Sequence, residues 1–192
     1  KLHGYAAVLG ATVRAAPRWT VAATVLPGLY GADNEVTSDT FNAPVLVTGI
    51  YAASRELAWV VGARFDAFAE RELLPLAGVR WGFAPDWTAE VAFPRSGVSY
   101  RANQRVTVGV YVGVQGGGYD VSGTKFAAGS RNKLSYYEIR SGLGADFKWG
   151  ESMRLGVEAG VATNRTFEFY ERNFWVKTDD APFATVNWQG QF

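Results

Sequence analysis

Any chemistry in this chain must be built from carboxylates, guanidiniums and hydroxyls. Among 192 residues there is no Cys, one His and one Met, which removes disulfide scaffolds, thiolate zinc sites, Cys nucleophiles and His-clustered metal centres. His3 is the only imidazole that could act as a general base. No Ser or acid neighbours it in sequence, so it reads as an interfacial or loop residue. Asp179 and Asp180 are adjacent, and adjacent acids in an extended segment point apart; they read as a loop end or as a cap for a strand starting at Ala181. Asp33, Glu35 and Asp39 lack the spacing of a calcium loop, which needs six or more oxygen ligands. No enzyme, metal or cofactor is therefore expected. What remains is a set of opposed charges, Arg14, Arg64, Arg80, Arg105, Arg140 and Arg154 against Asp66, Glu90, Glu138, Asp146 and Glu158. Almost all fall inside segments of alternating polarity, so the elements decide what these charges do.

The alternation has period 2 over about ten residues at a time, the pattern of strands whose two faces meet different media. Leu57, Trp59, Val61, Ala63 and Phe65 alternate with Gly62, Arg64 and Asp66. Val106 to Val114 place Val at every even position against Thr107, Gly109, Tyr111 and Gly113. Tyr137, Ile139, Leu143, Ala145 and Phe147 oppose Glu138, Arg140, Gly142, Gly144 and Asp146, and Met153 to Val161 oppose Arg154, Gly156, Glu158 and Gly160. No helical period competes, and no apolar run approaches the ~18 residues of a membrane helix.

Short connections (15–18, 53–56, 84–86, 102–104 and 149–152) alternate with longer polar ones (29–42, 67–74, 117–132 and 166–180). Keeping that alternation requires a tight hairpin near Phe93 and Pro94, and an internal repeat supports it: LPLAGVRW at 74–81 resembles FPRSGVSY at 93–100. Eleven strands are expected, at 4–14, 18–28, 43–53, 57–67, 74–83, 87–93, 95–101, 105–116, 133–148, 152–165 and 181–192. The predicted fold class is all-β, an antiparallel up-and-down transmembrane β-barrel, as one domain over 1–192. Bacterial barrels of this kind close with an even number of strands. The expectation is therefore twelve in the complete protein, with one N-terminal strand outside this sequence.

A soluble barrel or sandwich also alternates, with its apolar face inward. Three features favour the membrane. The apolar face carries no charge through the strand middles. The polar face is rich in Gly, as a narrow lumen filled by large side chains requires. Aromatics collect at strand ends: Trp19, Tyr51, Trp59, Trp81, Phe83, Trp87, Tyr100, Phe147, Trp188 and Phe192 towards the short turns, Tyr5, Phe65, Phe93, Tyr137 and Phe167 towards the long loops. These are two interfacial girdles. The last segment, PFATVNWQGQF, ends on the terminal aromatic of strands inserted by the outer-membrane assembly machinery. A charge balance of 19 basic to 18 acidic residues argues against nucleic acid as a partner.

The strings LLPLAGVRWGFAPDWTAEVAFPRSGVSYRANQRVTVGV, GGGYDV, LSYYEIRSGLGADFKWGESMRLGVEAGVATNRTFEF and DDAPFATVNW, together covering roughly residues 73–188, resemble a family of bacterial outer-membrane β-barrels catalogued as a domain of unknown function. The resemblance implies a fold and a location in the bacterial outer membrane, and no catalytic or ligand residue.

On this reading Arg64, Asp66, Arg80, Glu90, Arg105, Glu138, Arg140, Asp146, Arg154 and Glu158 line a lumen, and Trp19, Trp59, Trp81, Trp87, Trp188 and Phe192 mark the membrane interface. Hairpin register sets Arg80 opposite Glu90, Asp146 opposite Arg154, and Arg140 diagonal to Glu158. The expected function is a narrow passive pore for small solutes or ions. The alternative is a structural or partner-binding barrel with a plugged lumen in a larger outer-membrane complex, with Phe174 and Trp175 as an outside contact. The partners are outer-membrane lipid and, during biogenesis, the assembly machinery.

Overall fold

The computed structural model describes residues 2–32, 38–121, 133–150, 152–169 and 173–190. They form one sheet of fifteen strands and no α-helix; the one helical element is a 3-10 turn at Ser38–Thr40. The strands are β1 (Leu2–Ala6), β2 (Leu9–Ala16), β3 (Trp19–Val25), β4 (Gly28–Ala32), β5 (Phe41–Asn42), β6 (Val45–Ala52), β7 (Leu57–Phe65), β8 (Leu73–Ala84), β9 (Trp87–Phe93), β10 (Arg95–Arg101), β11 (Val106–Asp120), β12 (Lys133–Trp149), β13 (Met153–Phe169), β14 (Phe174–Thr178) and β15 (Ala181–Gly190). Each wall strand pairs antiparallel with its neighbours in sequence, from β2 and β3 through β6 to β13 and on to β15. Among the described residues β2 and β15 are not paired with each other, so the sheet is open along one seam.

The extra strands come from the ends of expected ones. The first expected strand, 4–14, breaks at Ala7 and Val8, and the second, 18–28, breaks at Leu26 and Pro27. Pairing nevertheless continues in unbroken register, from Leu9↔Val25 to Ala6↔Gly28 and on to Leu2↔Ala32. A third break aligns with these at Ala43 and Pro44, since Leu29↔Phe41 on one side continues Val25↔Val45 on the other. Two backbone hydrogen bonds cross the line, Ala7 N to Pro27 O at 3.0 Å and Leu26 N to Pro44 O at 2.9 Å. Proline lacks the N–H a regular ladder needs, and two of them on neighbouring strands give three strands one common fold line. Beyond it, β1, β4 and β5 form a flap. Its β4 bridges β11 in parallel at Gly31↔Asp120, although β6 to β10 lie between β3 and β11 in the sheet. The flap therefore crosses the concave side at the long-loop end. There Leu2 packs with Tyr119, Phe167 and Phe169 around buried Ala32, Val121 and Leu134.

Phe167 was expected on the outer aromatic girdle and belongs to this inner cluster instead. Asn164 sits at φ 49° beside a register shift between Tyr137 and Ile139, so one extra residue in β13 flips the side-chain parity above it. At two positions of the Gly-rich polar face the cause differs from the one expected. A Cβ on Gly62 would stand 2.3 Å from Val47 O, and one on Gly160 would stand 2.1 Å from Ser141 O. Neighbouring backbone, rather than a large lumenal side chain, occupies the space there, whereas a Cβ on Gly156 would meet the Asp146 side chain first, at 3.0 Å.

Candidate functional site

The register assigns every wall position to a face. One convex row runs Trp19, Tyr51, Trp59, Val79 and Val91; another, starting on β10, runs Val98, Val110, Leu143, Ala159 and Ala184. Asp120, Lys133 and Glu168 share the convex parity only at the long-loop rim, and from the short turns up to the row of Val114 and Ile139 no Asp, Glu, Lys or Arg occurs at the registered convex positions of the wall. Those positions are nonetheless the exposed ones, with Val110 53% and Leu143 65% exposed. At the short-turn end the convex aromatics form a row: Trp19 and Tyr51 lie 5.2 Å apart, Trp81 and Phe83 5.7 Å, Phe83 and Trp87 6.3 Å, and Trp87 and Tyr100 4.9 Å. Trp59 and Trp188 are exposed on the same face; Phe192 lies outside the described residues, as do Asp33 and Glu35.

The concave face gathers the charges into three clusters. Midway along the wall, Glu158 Oε1 accepts from Arg95 Nη2 at 2.7 Å, and its Oε2 accepts from the Tyr111 hydroxyl at 2.7 Å. The Arg95 guanidinium lies 3.6 Å from the centre of the Tyr111 ring, a cation–π contact. In a flat sheet β10 and β13 would be about 14 Å apart, so this contact spans a curled wall. It borders a cavity of about 570 Å³ that also takes in Arg80, Glu90, Asp146 and Arg154, and that reaches Val8 and Trp188 at the open seam. Arg80 and Glu90 are cross-strand partners, as expected.

Higher up, the buried Glu138 carboxylate accepts from Arg140 Nε at 2.5 Å and from the Tyr136 hydroxyl, and it is ion-paired with Arg165 at 3.4 Å; the Arg165 Nε donates to the Tyr136 oxygen, also at 3.4 Å. The Arg140 guanidinium stacks on Phe183, 4.7 Å from the ring centre. The third cluster centres on buried Asp66, which accepts from Arg64 Nη2 and Asn42 Nδ2, each at 2.8 Å, from Phe68 N at 3.1 Å and from Gly118 N at 3.2 Å. Burial, then the Asp66 carboxylate, pushes the hydroxyl of Tyr30 in the flap above its usual range. It stays protonated and donates to Leu26 O at 2.9 Å.

Two expected pairings are corrected. Asp146 faces Gly156, and Arg154 faces Lys148, because the turn occupies 150–152 and is centred one residue later than expected, with Gly150 at φ +69°. Arg140 faces Ala162 while Glu158 faces Gly144, so those two are not diagonal neighbours. Arg105 lies exposed in the turn before β11, its N–H bonded to Asn103 Oδ1 at 2.8 Å. Arg14 is also exposed, donating to Pro17 O at 2.8 Å. Sequence reasoning missed Arg95, Asn42, Tyr136 and Arg165. Arg95 shares the parity of Gly97 and Ser99, which would have placed it inward; Asn42 lay in an expected loop, and Arg165 lies beyond the parity flip.

Fold and site together define an all-β protein whose convex wall is uncharged below its long-loop rim and whose concave face pairs Arg64 with Asp66, Arg95 with Glu158, and Arg140 and Arg165 with Glu138. The chain matches the domain of unknown function DUF6268 over residues 14–186 and belongs to that family. No curated protein and no solved structure matches it.

Proposed function

We propose that this chain is an integral β-barrel of the bacterial outer membrane whose charged lumen forms a narrow passive passage for small solutes or ions. The observation that carries the reading is the convex wall. Between the short turns and the row of Val114 and Ile139 it exposes Val, Leu and Trp without a charge, whereas water-facing sheets bury such residues and large exposed apolar patches mark contact surfaces. Hydrocarbon is the medium that accepts it. The nine residues of β7 rise ~30 Å, or ~21 Å along a membrane normal at a 45° tilt, close to the apolar band of such barrels. The row of Trp19, Trp81 and Trp87 with their aromatic neighbours fits an interfacial girdle.

β2 and β15 both run towards the short-turn end, so they cannot pair antiparallel with each other. One strand running the other way between them would satisfy both edges and give an even wall of twelve. The passage itself is supported by the cavity of about 570 Å³ between Arg95, Glu158, Arg80 and Glu90. Conductance in a planar bilayer tests it. Discrete channels whose ion selectivity shifts towards anions in Glu158→Gln are expected; an electrically silent barrel unaffected by Glu158→Gln or Arg95→Gln would remove the passage. The flap favours a second reading, a structural or partner-binding barrel with a plugged lumen, because it crosses the mouth and packs on β11 to β13. Silence of the intact protein together with channels in a variant lacking residues 2–6 would select that reading.

A further inference from the structure

The β9–β10 hairpin is too short for the wall it belongs to. β10 begins at Arg95, opposite Gly113, while β11 continues to Asp120; β9 ends at Phe93, opposite Ala77, while β8 begins at Leu73. Four residues of β8, ~13 Å of strand, therefore have no β9 neighbour. The convex apolar face continues alongside them to Phe65 and Leu73, so the gap lies within the apolar belt.

The gap has a finished frame. Along β8 the odd positions turn their backbone groups towards β9, since Gly82 N bonds Glu56 O on the opposite side. The odd positions beside the gap are Leu73 and Pro75, and Pro75 has no N–H to leave unpaired. Along β11 the even positions turn towards β10, with Val114 N bonded to Pro94 O as the last rung. At the next two, one backbone group each meets a side chain: Gly116 O accepts from Arg64 Nη1 at 2.9 Å, and Gly118 N donates to Asp66. Above, the β7–β8 connection closes the frame, with Glu70 N donating to Ser135 Oγ at 2.8 Å and Lys133 Nζ to Ala67 O at 2.8 Å.

A cavity of about 680 Å³ fills this frame, and its walls come from both faces of the sheet: Leu46, Leu74 and Leu76 from the concave side, Phe93, Val114 and Tyr137 from the convex side. It is an opening through the wall. The concave side it meets is apolar, since Ile50 and Val60 continue the surface of those three leucines down β6 and β7, whereas β9 to β13 present charges, Gly, Ser and Thr. The ionic groups of the frame are unequal. Arg64 is held by Asp66, which leaves Arg71 and Lys133 against Glu70, Glu72 and Glu168, an excess of one acid.

We propose that this window is a lateral port through which a single-chain amphiphile with no negative charge on its head passes between the membrane and the lumen, its alkyl chain lying on Leu46, Leu74 and Leu76. The inference rests on the membrane reading above. The acid excess at the frame repels an anionic head, and the leucine surface replaces the hydrocarbon that the chain leaves.

The test is photolabelling of the full chain in phospholipid vesicles with a long-chain alcohol bearing a diazirine at its chain end, followed by peptide mapping. A fatty acid carrying the same group is the comparator. The alcohol is expected to label the convex belt around Val110 and also the concave residues of β6 and β8, the fatty acid the belt alone. In Leu76→Arg, concave labelling should fall about tenfold, as for loss of one buried leucine contact, with the belt unchanged. Leu46→Asn provides the same comparison if Leu76→Arg does not insert. Belt labelling without concave labelling, concave labelling unchanged in the variants, or equal concave labelling by the fatty acid would overturn the port. Absence of belt labelling would overturn the membrane reading instead.

Discussion

Glu138 shows what a concave carboxylate contributes. It is buried and holds Arg140, Arg165 and Tyr136 at once, so its removal leaves two guanidiniums facing each other without a counter-ion. Breaking a buried ion pair from one side costs about 3 kcal/mol. Glu138→Ala should therefore lower the unfolding free energy, read from urea titration of the refolded protein in lipid vesicles, by that amount, and Glu138→Gln by less, because the amide still accepts two of the hydrogen bonds. Equal stability of all three proteins would mean the cluster is solvated. A second residue-scale prediction concerns glycine. Gly160→Ala places a Cβ against Ser141 O and Gly142 Cα, whereas the nearest atom to a Cβ on Gly144 is Glu158 Cγ at 3.6 Å. The first should cost about 1–3 kcal/mol as overpacking, the second nothing measurable in the same unfolding assay. The face of Arg165, beyond the parity flip, was hidden, but the concave face of Arg64, Arg80, Glu90, Glu138, Arg140, Asp146, Arg154 and Glu158 was legible from parity alone. The partner was not, because partnership depends on register. A shift of one residue at the turn centre moves Asp146 from Arg154 to Gly156.

The elements divide in the same way. The long hairpin at the N-terminus keeps its alternation and its register through the fold line, so Ala7 and Val8 give no sign that the strand ends there. The signal sits in the neighbours, Pro27 and Pro44, and becomes meaningful only when the three strands are side by side. The flap this creates was invisible for the same reason. Its rim contact offers a direct check, since Gly31 and Asp120 are bridge partners and the chain has no native Cys. Gly31→Cys with Asp120→Cys should oxidise readily, as cross-strand neighbours lie within disulfide reach. If the flap gates the passage, the oxidised protein should conduct less than the reduced one in the same bilayer. Equal conductance in both states would show that ions pass beside the flap rather than under it, and failure of the pair to oxidise would place β4 away from β11.

At the scale of the whole molecule the question is what stands between β2 and β15. The two edges run in the same direction, and every other neighbouring pair in the wall is antiparallel. Direct closure would need a long parallel pairing unlike any in this sheet, while a single strand of opposite direction fits both edges. The two arrangements predict different spacings. Direct neighbours lie about 4.8 Å apart, and edges separated by one strand about 9.6 Å, beyond the ~7 Å Cα separation that a disulfide tolerates. Ala11→Cys combined in turn with Ala184→Cys, Val186→Cys and Trp188→Cys samples three registers along the seam. None of the three should form a disulfide under oxidation in vesicles. A bis-maleimide with a span of about 10 Å, the two-strand distance, should bridge at least one. A disulfide formed in high yield by any pair would make β2 and β15 direct neighbours. The wall would then have eleven strands, and the even-numbered barrel would be lost together with its twelfth strand.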